Sequence, residues 1–217
     1  MIRAYSKLYL DDAQINLARM FDYALRGLHY DSDVFFSLFI KSGIAEMFEC
    51  GNPKYVCGLS GFELVQKVLE KTGHNYKTVS LDYSFDGPEY WLGWVMSYYQ
   101  WYTGLRFSDL QQYGLVPSEI LKRYILHEAD ISKFVETATS IIRANKEKSP
   151  TRLKIMRQKR NMTQKQLSEE SGVSLRMIQL YEQRQNDINK AAGIVINKLA
   201  WVLKCNFYEI MEIDLDE

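Results

Sequence analysis

Apolar and polar positions recur at a helical spacing along nearly the whole chain. Leu17, Phe21, Ala24 and Leu28 fall on one side of a helix that Asp11 can cap. Phe35, Phe36, Phe39 and Ile40 form a second stripe after Asp31 or Ser32, with a break near Gly43. A short helix follows to Cys50, and Gly51-Asn52-Pro53 stops it. Ser60 and Glu63 make a capping-box pattern ahead of Phe62, Leu64, Val65, Val68 and Leu69, and Gly73 ends that helix. Residues 75–86 break the rhythm. Tyr76, Thr78, Val79, Leu81, Tyr83 and Phe85 are β-favouring types in partial alternation, which reads as a short strand or an extended connection.

Pro88 suits the first turn of a further helix, running from Glu89 to Thr103 and stopped by Gly104. Trp91, Trp94, Val95, Tyr98 and Tyr102 lie along one stripe of it. A stripe of this kind reads as the centre of a core, with a ligand or partner groove as the alternative. Ser108 and Ser118 begin two short helices. Asp130 caps a last amphipathic one carrying Phe134, Val135, Ala138, Ile141 and Ile142.

The stretch from Arg143 to Pro150 is polar, lacks large apolar residues and ends in proline, which marks a domain boundary. Beyond it five short helices can be read, over about 152–160, 163–171, 174–183, 191–203 and 207–211. Thr163 and Ser174 are good N-caps, and Gly172 supplies the left-handed turn between the second and third helices. Leu167, Val173, Ile178 and Tyr181 would fix the crossing of those two helices. Leu153, Met156, Leu199, Leu203, Phe207 and Ile210 add contacts from the outer ones. The third helix is left polar and short-chained at its start, as a helix that enters a DNA groove must be.

With these residues in place, the string Thr163-Gln164-Lys165-Gln166-Leu167-Ser168, then Gly172-Val173-Ser174, Ile178 and Tyr181-Glu182, resembles the phage-repressor or XRE-type helix-turn-helix family. The resemblance covers about 60 residues and implies a sequence-specific, DNA-binding transcriptional regulator. It implies base reading by Ser174, Leu175, Arg176, Gln179 and Leu180. Arg suits guanine, Gln suits adenine, and leucines suit thymine methyls, although Leu180 equally fits a packing or dimer contact. Gln164, Lys165, Arg184, Asn186 and Lys190 are expected at DNA phosphates, with a solvated surface loop as the alternative for the last three. Arg157 and Glu182 match positions that pair structurally in the family. Arg184 stands where many members have a glycine, which puts the turn at that point in doubt.

The expected fold is therefore all-α: a helical domain over 1–143, a linker over 144–150, a five-helix lambda-repressor-like domain over 151–211, and an acidic tail over 212–217. Charge follows the same division. Thr151 to Met211 carries eleven Lys and Arg against five Asp and Glu, whereas residues 1–150 carry sixteen against eighteen and the last six residues hold four acids. A basic module on a near-neutral body suits binding to double-stranded DNA. Apolar residues at 47% and charged residues at 25% fit a folded globular chain rather than a disordered one.

Enzymatic chemistry is not expected. His29, His74 and His127 are scattered, and His127-Glu128 with Asp130 has an incomplete metal-ligand spacing. Gly58-Leu59-Ser60-Gly61 lacks the Lys-Ser/Thr pair of a phosphate loop. No metal and no cofactor are expected. Cys50, Cys57 and Cys205 match no zinc or redox spacing and read as reduced, mostly buried thiols. Met1 to Asp12 lacks the pattern of a secretory signal, and no apolar run approaches a bilayer span, so a cytoplasmic protein with no membrane partner is expected. A homodimer is expected, because one recognition helix reads only a few base pairs. The arrangement also resembles bacterial regulators that act as antitoxins. On that alternative, residues 1–143 would bind a partner toxin and the exposed part of the aromatic helix would be its first contact.

Overall fold

The structure is a computed structural model that describes residues 3–75, 79 and 87–215. Among them every regular element is helical. Apart from Asn75 and Val79, the segment 75–86, expected as a strand or extended connection, lies outside the described residues. The chain divides into two compact units, Met1–Asn145 with Leu215–Glu217, and Lys146–Asp214.

The first unit is built around α1 (Leu10–Asp22), which continues into a widened π turn over Tyr23–Gly27. Asp11 does not cap α1 but sits in its first turn, where a carboxylate favours the positive end of the helix dipole. Next come α2 (Ser32–Lys41), capped by the Asp31 carboxylate, α3 (Ile44–Glu49) after the left-handed Gly43, and α4 (Pro53–Val56), capped by Asn52. Helix α5 (Gly61–Thr72) carries the Ser60–Glu63 capping box and stops at the left-handed Gly73. Helix α6 (Pro88–Thr103) stops at the left-handed Gly104. The unit is completed by α7 (Phe107–Gln112), α8 (Pro117–Leu121) and α9 (Ile131–Lys148), whose last residues, from Lys146, belong to the second unit. Its core is aromatic, with Phe36, Phe39 and Phe48 meeting the Phe107 ring edge to face.

Helices α1 and α6 make the most extensive contact in this unit. The reason lies in small residues. A Cβ on Gly93 would collide with the Leu17 carbonyl and lie 2.6 Å from Ala18 Cα, so only glycine lets the two backbones touch. The face of α6 that enters the core is Leu92, Val95, Met96, Tyr99 and Thr103, together with Gly93 and Ser97. This corrects the expected core stripe. Of those positions only Val95 is buried, whereas Trp91, Trp94, Tyr98 and Tyr102 are half-exposed. Tyr98 stacks on Trp94 and on Tyr102, and the Arg3 guanidinium lies 3.8 Å from the Tyr102 ring centre. The thiols also differ from expectation. Cys50 and Cys57 are exposed and Cys205 is half-buried, with all three free.

In the second unit, α10 (Arg152–Lys159), α11 (Gln164–Ser171), α12 (Leu175–Glu182) and α13 (Gly193–Leu203) surround one apolar cluster. Leu153, Leu167, Ile178, Tyr181, Leu199, Leu203 and Ile210 form its centre. A 3-10 turn over Ile188–Lys190 precedes α13, and a second over Phe207–Glu209 follows it, with the Asn206 N–H donating to the Glu209 carboxylate at 2.8 Å. No helix among the described residues is long and apolar enough to cross a membrane.

Candidate nucleic-acid interface

Local hydrogen bonding sets the start and end of the two central helices. Thr163 Oγ1 accepts the Gln166 N–H at 3.1 Å, and the Gln166 side chain accepts the Thr163 N–H at 2.8 Å, closing a capping box on α11. Gly172, with φ of +67°, ends α11. The turn is then stitched by Ser168 Oγ donating to the Val173 carbonyl at 2.7 Å and by Ser171 Oγ accepting the Val173 N–H at 3.2 Å. Ser174 Oγ accepts the Met177 N–H at 3.3 Å and so starts α12. The inner face of α12 is Ile178 and Tyr181, both buried. Its first turn, Ser174, Leu175 and Arg176, is exposed, and Gln179 and Leu180 are half-buried behind it.

The far end of α12 is clamped. Arg157 of α10 donates from Nε to Glu182 Oε1 at 2.6 Å and from Nη2 to Oε2 at 2.9 Å, and its Nη1 reaches the Met162 carbonyl at 2.6 Å. The hydrogen bonds to Glu182 raise the guanidinium pKa further above its ordinary value. Gln164 of α11 adds a third bond to the same carboxylate, from Nε2 to Oε2 at 2.8 Å. One glutamate thus joins α10, α11 and α12.

The residues considered for phosphate contact fall into two groups. Lys165 and Lys190 are well exposed, each about 3.8 Å from a neighbouring carboxylate, Glu169 and Asp187 respectively. Asn186 is exposed beside Met177. Gln164, by contrast, is half-buried and bonded to Glu182. Arg184 is drawn inward: Nη1 donates to the Ser149 carbonyl at 2.8 Å and Nη2 to Glu212 at 3.3 Å. The turn at Arg184 keeps the geometry a glycine would give. Its φ is +54°, its N–H reaches the Tyr181 carbonyl at 3.1 Å, and the Gln185 N–H reaches the Leu180 carbonyl at 2.9 Å. These two bonds are the Schellman motif that ends many helices.

Two contributors were not evident from the sequence. Glu212, grouped above with the acidic end, accepts the Arg152 N–H at 2.8 Å as well as Arg184, while Asn189 bonds its main-chain N–H and carbonyl at 2.9 and 2.8 Å. Arg160 covers the end of α13, donating to the Leu203 and Lys204 carbonyls at 2.7 and 2.9 Å. Both are long-range pairings that no local pattern announces. Among the described residues, no group of three or more His, Cys, Asp or Glu is placed to hold a metal ion.

Residues 153–207 match the family described as helix-turn-helix. They form a helix-turn-helix domain of the DNA-binding type. The match covers about a quarter of the chain, from within α10 to the 3-10 turn that follows α13. In this domain α11 and α12 are the two short helices joined through the Gly172 turn. No curated protein and no solved structure matches the chain.

Proposed function

We propose that the protein is a sequence-specific transcriptional regulator that reads the major groove with α12 and acts as a dimer. The observation that carries this reading is the asymmetry of α12: Leu175 and Arg176 point to solvent while Ile178 and Tyr181 anchor the opposite face. Arg176 and Gln179 would read base edges, Ser174 and Leu175 would pack beside them, and Leu180 would serve base or packing contacts. Lys165, Lys190 and Asn186 would meet phosphates. Gln164 would do so only through the helix end it braces. We assign Arg184 to the turn and to Glu212 before any phosphate. Dimer formation supplies the second half-site that a single short helix lacks.

Genome-wide recovery of bound DNA tests the reading by giving operator, half-site spacing and target genes together. Arg176→Ala should erase preference for the recovered operator. Lys165→Ala should weaken all DNA alike and lower the salt slope by about 1. Recovery of no enriched sequence, or an unchanged preference in Arg176→Ala, would overturn it.

One observation favours a second reading, an antitoxin whose first unit binds a partner protein. The half-exposed ridge of Trp91, Trp94, Tyr98 and Tyr102 is the kind of aromatic surface that anchors interfaces. Co-expression with neighbouring genes addresses it; absence of both growth rescue and a co-purifying partner would rule it out.

A further inference from the structure

Two large apolar side chains of helix α13 face water, with the exposed Asn197 and Lys198 between them. Ile194 and Trp201, two turns apart on one side, are 63% and 84% exposed, and Phe207 in the following 3-10 turn is 56% exposed. Trp201 forms part of the wall of a groove of about 530 Å³ whose lining also includes Glu170, Lys198, Ala200, Cys205 and Phe207. Ala200 is buried, which gives the groove an apolar floor. Glu170 and Lys198 are exposed and opposite in sign, and neither is paired with another described side chain.

We propose that this surface is where two copies of the chain meet, the Trp201 side chain of each seated in the groove of the other about a two-fold axis. The inference rests on the dimeric part of the function proposed above and locates its interface. A two-fold contact needs a patch that is complementary to itself. This patch has an exposed indole on the rim of a groove, and it has one acid and one base. In the proposed pairing Lys198 of each copy would face Glu170 of the other. A polyanion would meet Glu170 with repulsion, and a purely acidic or basic peptide would satisfy only one of the two charges. The three exposed apolar side chains offer roughly 400 Å² of surface, about half of the ~800 Å² per partner in a standard stable interface. The contact is thus sized for a weak dimer in free solution that tightens when two half-sites hold the copies together.

Analytical ultracentrifugation of the full chain over a micromolar concentration series, with and without its operator, is the test. The wild type should show a monomer–dimer equilibrium, and Trp201→Ala should weaken it roughly tenfold or more. Glu170→Lys and Lys198→Glu should each weaken it, and the double swap should restore it. Circular dichroism should be unchanged in all of them, and so should melting at dilutions where the wild type is monomeric, since these side chains are exposed. A wild type that stays monomeric even on the operator would overturn the proposal, as would a Trp201→Ala chain that dimerises normally or a double swap no better than the singles. Binding to an isolated half-site separates this from the parent reading. A wild type that binds a half-site yet never dimerises leaves the regulator reading standing and removes only the interface. A chain that dimerises through Trp201 but binds no DNA does the reverse.

Discussion

Arg157 and Glu182 are joined by two parallel hydrogen bonds, at 2.6 and 2.9 Å, with their side chains only 10% and 3% exposed. A doubly bonded guanidinium and carboxylate in this setting is held far more tightly than a surface pair. Its removal from one side leaves a charge with no water to turn to.

Arg157→Ala should therefore cost about 3–5 kcal/mol, a large share of the stability of so small a domain. Urea unfolding followed by circular dichroism measures it. Lys165→Ala, at an exposed pair, should change stability by no more than about 0.5 kcal/mol. A mild effect of Arg157→Ala would mean that the clamp is not what holds α12.

Arg184 occupies a left-handed position at φ +54° that favours glycine, yet it is tied to Ser149 and Glu212. Arg184→Ala keeps the backbone strain and loses both contacts. Arg184→Gly loses the contacts and relieves the strain. The alanine variant should be less stable than the glycine variant by about 1 kcal/mol, read from the difference in their urea midpoints.

Burial pushes the Glu49 carboxyl up to about 7, against the Phe107 N–H that it accepts at 2.8 Å and the nearby Arg106, both of which favour the charged form. The folded value lies above the ordinary one of 4.5, so this contribution is whole below about pH 4.5 and fades as pH rises through 7. Melting curves should place Glu49→Gln progressively above the wild type from pH 5 to about 8, the gap approaching roughly 3 kcal/mol at the alkaline end. A gap that does not grow with pH would contradict the shift.

Gly93→Ala should cost about 3 kcal/mol, because the new methyl meets backbone on α1 rather than a side chain that can swing away. Gly193→Ala, at the start of α13 with nothing within 4 Å of the added carbon, should instead stabilise by roughly 0.5–1 kcal/mol. Thermal melts of the two variants suffice to compare them.

What the sequence made legible was local. Ser60 with Glu63, and Thr163 with Gln166, declare their helix starts because the partner is three residues away, and Gly172 declares a turn by its lack of a Cβ. The core face of α6 was not legible, because Trp91, Trp94, Tyr98 and Tyr102 outweigh the opposite side in any hydrophobic count. The inward side was decided by the smallness of Gly93, which admits α1, and that preference belongs to the pair of helices rather than to either alone. In the DNA-binding domain the exposure of Arg176 follows from helical spacing, but the inward pull on Arg184 comes from Glu212, 28 residues away.

The main-chain contact at Gly93 has a mechanical consequence. Where Gly93 meets Leu17 and Ala18 the two helices rest backbone on backbone, so a slide or roll at that point drives main-chain atoms into one another at once. Of the joints in the first unit this is the one least able to give, and a shape change by which that unit answers a partner or a ligand is to be sought first in the shorter helices around it.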